Sequence, residues 1–525
     1  MSVTGAANVV RGGLEARERT AERHEISEII IGKDVLELVS SAMYVDPMTI
    51  YREYIQNAAD AVDAARAEGA LAAGEPGRVD IKVDAGARSV TIRDNGCGVQ
   101  FPEFGRKLAA LGGSSKRGTP ARGFRGVGRL AGLGYAQELI FRSRIAGEAK
   151  VSQLRWDCRR VRAALREAGH NTGLTDIIRS VTTLERVEVE DAPERYFEVE
   201  MRGIVRLRND RLMSPSAISE YLSQVAPVPF SPAFRFRGEI TEALSRHVDV
   251  GGLDIRIDGA DEPVYRPHRN GFSFDDKQNI NFESLSVTEI PSIDGGVAAV
   301  AWVLHHDYEG AVPNGTLVNG FRLRTGNVQV GNHALLEDLF PEPRFNLWSV
   351  GEVHVVDRRI VPNGRRDHFE QNAHFHNLVN HLTPTARDVA RRCRTGSVRR
   401  KWEREFEMHA KAVEETVGII VQNSVSLMEK ERLALSAEQI LLQMGKVAGM
   451  DLLAESANER SARIQALRGR LGAAMNDDKA VSSPLMRLPE AQRKTYEHFF
   501  ELIYECSVNR VAAKALIDRI LMRLG

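Results

Sequence analysis

The chain has 525 residues, too many for a single hydrophobic core, and a prior of roughly one domain per 100–200 residues predicts about three domains. Its 71 Lys plus Arg balance 71 Asp plus Glu, which removes any bulk electrostatic drive toward nucleic acid or acidic membrane and leaves only local patches. The four cysteines, Cys97, Cys158, Cys393 and Cys506, show neither metal-ligand spacing nor a disulfide framework, so a reducing compartment, the cytoplasm, is expected, and no apolar run is long enough to span a bilayer.

Residues 1–25 are polar and read as a flexible segment without the apolar core of a secretion signal. The first strong helix follows Asp46, which can cap free amides, and Pro47, which suits a first helical position because it needs no N–H donor. At about 100° per residue, Glu53, Asn57 and Asp60 fall within roughly 60° of one another, and Ile55, Ala58, Ala59 and Val62 collect on the opposite side. One face can pack while the other reads acid, amide, acid. A solvated polar face is the ordinary explanation of such a pattern, so this helix alone assigns no function.

The stretch RVDIKVDAGARSVTIRDNG reads as a hairpin, with Val79, Ile81 and Val83, then Val90 and Ile92, alternating with polar residues across a DAGAR turn. Asp94 ends the second strand, and Gly96 and Gly98 follow in alternate positions, where backbone can approach a ligand closely. A carboxylate there can accept a hydrogen bond from an exocyclic amine. A tight Asp-Asn-Gly turn accounts equally for the local sequence. Next, Gly112 and Gly113 precede Ser114, Ser115 and Lys116, and Gly123, Gly126, Val127 and Gly128 open the helix-like stretch VGRLAGLGYAQEL. Glycines that free backbone N–H groups at a helix start form an anion site, and a nearby lysine adds a point charge for a terminal phosphate. The spacing is not that of a P-loop. It does not fit a dinucleotide fold either, because KLAALGG before it is helix-like.

In order and combination, E-x-x-x-N-x-x-D on a helix, a strand ending in D-x-G-x-G, a glycine-rich lid with lysine, and G-x-x-G-x-G opening a helix resemble the GHKL (Bergerat-fold) ATPases. That superfamily includes gyrase-type topoisomerases, ninety-kilodalton heat-shock chaperones, histidine kinases, MutL-type repair proteins and MORC proteins. The resemblance covers about residues 25–145. It implies that Glu53 is the general base for the attacking water, Asn57 the Mg²⁺ ligand and Asp94 the adenine-reading carboxylate. It further implies that Gly98 shapes the adenine wall, and that Asp60 is a supporting hydrogen bonder. Lys116, Gly126 and Gly128 would belong to the phosphate lid, and Gly96, Gly113, Ser114, Ser115, Gly123 and Val127 would also bind the nucleotide, with ATP and Mg²⁺ as cofactors. The chemistry of the residues agrees: Mg²⁺ keeps several waters and needs few protein oxygens, and a carboxylate one turn away can orient a water toward a γ-phosphate.

The proline cluster in APVPFSPAF marks a boundary near 235, and strands such as VAAVAWVL and EVHVVD lie in a second mixed region ending near 385. Within it, VHVVDRRIVPNGRRDHFEQN resembles the middle-domain segment of heat-shock ninety chaperones, which implies Arg366 as an arginine acting on the γ-phosphate in cis. Arg365 stands where that family has serine, and Asp367 where it has glutamate. Residues 386–525 carry apolar residues at helical spacing and almost no proline, which predicts a helical region with coiled-coil segments. The arginine-rich run from Ala386 to Glu405 reads first as a charged helix and second as a phosphate-holding surface. The expected fold class is therefore α+β, with a flexible 1–25, a Bergerat-type α/β sandwich over 26–235, a transducer-like α/β domain over 236–385 and an all-α region over 386–525. The expected function is an ATP-hydrolysing, chaperone-like conformational machine with lid closure, a homodimer and an unidentified protein client. The alternatives are a DNA-acting clamp and a nucleotide-gated scaffold with little turnover. Nucleic acid stays open as a partner without support from net charge, and no membrane partner is expected.

Overall fold

A computed structural model describes residues 34–37, 46–72, 74–111, 122, 126–166, 173–207, 209–248, 250, 252–274, 278–450, 457–476 and 483–524. The expected lid residues Gly113, Ser114, Ser115, Lys116 and Gly123 lie outside them.

The predicted helix is α1, Thr49–Ala67. It starts two residues later than the Pro47 reading: Asp46 Oδ1 accepts from Met48 N at 3.1 Å, and Thr49 is the first residue of the regular helix. Its apolar side, Tyr51, Ile55, Ala58, Ala59 and Val62, is buried in the main core. That core lies against a seven-stranded sheet of β1 (Gly77–Asp84), β2 (Ser89–Asp94), β3 (Glu138–Arg144), β4 (Val151–Asp157), β5 (Thr182–Val187), β6 (Tyr196–Arg202) and β7 (Leu253–Ile257). The spatial order is β5-β4-β3-β6-β2-β1-β7. The predicted hairpin forms in the register its alternation requires, with Val79 opposite Asp94, Ile81 opposite Ile92 and Val83 opposite Val90. A helix α2 (Phe101–Ala109) leaves the end of β2 by way of the glycine turn. The helices α3 (Cys158–Arg166) and α4 (Leu174–Val181) follow β4 and precede β5.

The sheet does not end with the proline cluster. Beyond α5 (Pro215–Val225) and α6 (Arg237–Ser245), β7 returns to pair in parallel with β1, Val79 opposite Ile255. The stretch after Gly126 also differs from expectation. Gly128–Gly134 is a seven-residue 3₁₀ helix, and the chain extends into β3 from Glu138. Glycines at 128, 132 and 134 lower the preference for a regular α-helix, and Gly132 is pressed against Tyr54, whose hydroxyl accepts from its N–H at 3.0 Å.

After the hairpin β8 (Gly271–Phe274) and β9 (Gln278–Asn281), a second sheet runs in the order β10-β11-β14-β12-β13. Its strands are β10 (Ser284–Pro291), β11 (Val297–His305), β12 (Gly320–Thr325), β13 (Val328–Val330) and β14 (Val350–Val355). The continuous apolar run of β11 is explained by burial on both faces. Ala299, Ala301 and Val303 join a core with the next helix, whereas Val300, Trp302 and Leu304 join one with Phe230, Phe234 and Ile240.

That next helix, α7, spans Ala373–Val421, capped by Asn372, whose side chain accepts from Phe375 N at 2.9 Å. It crosses the expected division at 385. Phe375, Leu378, Leu382, Ala386 and Val389 pack on the second sheet, while Phe406, Ala410, Val413 and Val417 pack with α8 (Leu427–Ala448) and α9 (Ala457–Asn476). Two last helices, α10 (Glu490–Cys506) and α11 (Arg510–Leu524), enclose Phe500 and Ile517. The fold is thus α+β with a helical C-terminal region. Among the described residues no helix is long and apolar enough to cross a membrane.

On the second sheet, against the end of α5, lies a buried charge cluster. Glu352 on β14 is fully buried and accepts from Arg324 Nε at 2.6 Å, from Arg266 Nη1 and from His354 Nε2 at 3.0 Å. Burial opposes ionisation, but Arg266 and Arg324 outweigh it and hold the carboxyl well below its ordinary range. Arg324 also donates to the Ala226 carbonyl at 3.3 Å and to the Gln224 carbonyl, which ties this cluster to the end of α5.

Candidate functional site

A cavity of about 960 Å³ opens between α1, α2 and the 126–129 segment, with the second sheet's domain contributing Asn363, Gly364 and Arg366. Its volume lies at the upper end of small-molecule sites. The polar side of α1 faces it: Glu53 and Asn57 are half-buried on its wall, and Asp60, 8% exposed, also lines it. The opposite side of the helix is held by the core, so the sheet orients these three side chains.

Asp94 sits at the end of β2, 5% exposed, and lines the same cavity. Gly96 N–H donates to its Oδ1 at 2.9 Å. Burial nonetheless dominates and pushes the carboxyl up to about 7, with the Gly96 bond working the other way. Gly96 could not carry a side chain, because its β-carbon would meet Ala61 Cβ at 2.7 Å. Gly98 has φ +73° and would meet Arg144 O at 2.5 Å, so the turn behind Asp94 requires both glycines. The same cavity presents the apolar side chains of Ile92, Val99, Phe141, Phe197 and Val199, beside the polar Glu68, Cys97 and Lys107.

At the other wall Gly126 adopts φ +70°, Val127 packs on the core, and Gly128 stands directly against Glu53, into whose carboxylate any β-carbon would run. Asp60 is engaged with Arg122: its Oδ1 accepts from Arg122 N at 2.9 Å and from Arg122 Nη1 at 3.4 Å. Arg122 also donates through Nε to Gly326 O at 2.6 Å, and its own carbonyl accepts from Arg366 Nη2. Arg366 has φ +56° and is 7% exposed. Arg52, adjacent to Glu53, reaches the same loop, with Nη2 donating to Arg365 O at 3.0 Å and Nη1 to Arg366 O at 3.4 Å. Nη2 also stands 3.4 Å from Glu53 Oε1. The loop that carries Arg366 is therefore fastened to α1 beside Glu53.

The structure brings Glu53, Asn57, Asp60, Asp94, Gly98, Gly126, Val127, Gly128 and Arg366 to one cavity. The hydroxyl behind the glycine turn is that of Ser143, which accepts from Val99 N at 2.7 Å and donates to Tyr196 O at 3.2 Å. Sequence reasoning missed it, together with the apolar wall, Arg52 and Arg129. The alternation of Phe197 and Val199 on β6 was a usable signal for the wall. The arginine-rich run on α7 is largely occupied locally, with Arg391 and Arg392 on Asp388 and Arg399 on Glu403.

The family described as histidine kinase-, DNA gyrase B-, and HSP90-like ATPase matches residues 47–174, the interval that contains α1, the hairpin, the glycine turn and the 126–134 segment. This chain carries a GHKL-type ATPase domain. Within that superfamily its relatives are of the HSP90 kind. Chaperone protein HtpG of Gluconobacter oxydans (strain 621H) is 29% identical over 220 residues, 39% of this chain and 34% of the relative. Chaperone protein HtpG of Geobacter metallireducens is 27% identical over 202 residues, 35% of this chain and 30% of the relative. That of Methylorubrum populi is 38% identical over 102 residues, 19% of this chain and 16% of the relative. The first two matches thus span about a third of the relatives' own length.

Proposed function

We propose that this chain binds ATP with Mg²⁺ in the cavity and hydrolyses it, and that the nucleotide governs the contact between its first and second domains. The observation that carries the reading is Asp94: a buried carboxylate that lines one cavity together with Phe141, Phe197, Val199, Glu53 and Asn57. An adenine ring fits the apolar surfaces of Phe141, Phe197 and Val199, and its exocyclic amine supplies the donor that a buried carboxylate needs.

The residues fit Mg²⁺ in one specific way. Among the described residues no three His, Cys, Asp or Glu side chains converge on a metal position, so the chain's contribution is the Asn57 amide oxygen. Mg²⁺ accepts such a site when phosphates and waters complete its shell, and there it neutralises developing phosphate charge. Glu53 orients and deprotonates the attacking water. Gly128 keeps the space beside that carboxylate free of a side chain, and Arg366 adds positive charge from the second domain. Arg52 keeps Arg366 within range by holding the 365–366 carbonyls on α1.

In this reading hydrolysis loosens the Arg366 loop, the 112–128 lid closes over ATP, two copies pair through their first domains, and a protein client is remodelled as by a chaperone. The free state of all four cysteines agrees with a reducing, cytoplasmic setting. The test is direct: purified protein with ATP and Mg²⁺ should release phosphate, chelation should stop release, and Asn57→Ala should require far more Mg²⁺. No phosphate release together with no calorimetric ATP binding would overturn the proposal.

A further inference from the structure

We propose that the Arg129 guanidinium binds the phosphate chain of the nucleotide, an inference that rests on the ATP reading above. Arg129 follows Gly128 in the 3₁₀ helix Gly128–Gly134 and lines the cavity. Its Nη2 donates to Ala110 O at 2.8 Å, and its Nε is enclosed without a hydrogen-bond partner. Among the described residues no carboxylate lies within ion-pair distance of it, whereas Arg52, Arg122, Arg142, Arg266 and Arg324 each have one. Burial alone acts on Arg129 and lowers its affinity for the proton.

A partly buried cation without an anion is costly, and the cavity wall on which it stands decides which anion completes it. The apolar end belongs to the base and Asp94. Arg129 is at the other wall, next in sequence to the glycine pressed on Glu53, where the phosphates must lie for Glu53 to aim water at them. A guanidinium fork suits two phosphate oxygens at once, so the predicted contact is bidentate and geometric as well as electrostatic. The same side chain holds the Ala110 carbonyl just after α2, so it anchors the bound phosphates to that end of the helix.

Calorimetry of Arg129→Gln and Arg129→Lys with adenosine, ADP and ATP tests this. Adenosine should bind all three proteins alike, while ADP and ATP should weaken by about tenfold or more in Arg129→Gln and by less in Arg129→Lys, which keeps the charge without the fork. Should Arg129→Gln fail to fold, Arg129→Lys carries the comparison, with adenosine affinity reporting an intact cavity. An equal loss for adenosine and ATP would make Arg129 merely structural, and unchanged ATP affinity would also overturn the proposal. Failure of the unmodified protein to bind either adenosine or ATP would instead remove the nucleotide reading on which it rests.

Discussion

The buried position of Asp94 makes base recognition depend on pH in a calculable way. Its carboxyl is raised from the ordinary 3.8 to about 7 by burial, a displacement worth roughly 4 kcal/mol against the ionised form in the empty cavity. An amine donor requires the carboxylate, so ligand binding must ionise Asp94 and release a proton below neutrality. Between pH 8 and pH 6 the ionised fraction falls by about tenfold, and affinity should fall in proportion. Adenosine is the right probe because it has no phosphate to titrate. Titration calorimetry at pH 6, 7 and 8, in buffers of different ionisation enthalpy, should show weaker binding and greater proton release at the acid end. Asp94→Asn should bind weakly, by about 2–4 kcal/mol, because a donor then faces a donor, and its residual affinity should not change with pH. The sign is opposite for the empty protein. A carboxyl with a raised pKa contributes stability below its unfolded value of about 4, and this is lost as pH rises through 7, so Asp94→Asn should flatten that decline. Adenosine affinity that is constant from pH 6 to pH 8 in the unmodified protein would refute the assignment of Asp94.

Three further outcomes follow from other parts of the molecule. Gly128→Ala should cut ATP turnover by about tenfold or more with a small effect on adenosine affinity, since its β-carbon displaces Glu53; normal turnover in a steady-state phosphate assay would count against that contact. Glu352→Ala should destabilise the protein by about 3–5 kcal/mol in urea melts at pH 7, because it leaves Arg266 and Arg324 buried without their anion. The Glu352 carboxyl is depressed, so its contribution exists above the unfolded pKa and fades as pH falls toward the folded one; a melt insensitive to the substitution would remove the cluster as a structural element. Arg366→Ala should lower the ATP turnover number by about 100-fold or more while ADP affinity stays near normal, and equal losses in both would place the residue in structure rather than catalysis.

How much was legible in the sequence varied with the range of the interactions involved. The helix α1 and the hairpin β1–β2 carry their burial as local periodicity, so Glu53, Asn57 and Asp94 were assigned to surfaces before any tertiary contact was known. The stretch VGRLAGLGYAQEL reads as helical in sequence, but it forms a 3₁₀ helix only over Gly128–Gly134 before the strand from Glu138, and the close approach of Gly132 to the Tyr54 hydroxyl is not local. Likewise β7 is separated from its partner β1 by more than a hundred residues, and nothing in LDIRI announces a parallel edge pairing. The helix α7 hides two environments within one continuous periodicity, which explains the expected division at 385 inside it. Arg52 and Arg129 look like ordinary surface charges in sequence. Only the fold shows one bridging to the Arg365 carbonyl and the other lining the cavity with no carboxylate within ion-pair distance among the described residues.

The central claim is that Glu53 performs hydrolysis in a cavity that other residues build. Glu53→Ala leaves Asn57, Asp94 and the apolar wall in place, so binding and chemistry should separate. Single-turnover hydrolysis of Mg²⁺-ATP by this variant, beside calorimetric ATP affinity on the same sample, measures that separation. The account predicts ATP affinity within about threefold of the unmodified protein and a hydrolysis rate lower by about two or more orders of magnitude. Hydrolysis at the unmodified rate would contradict it.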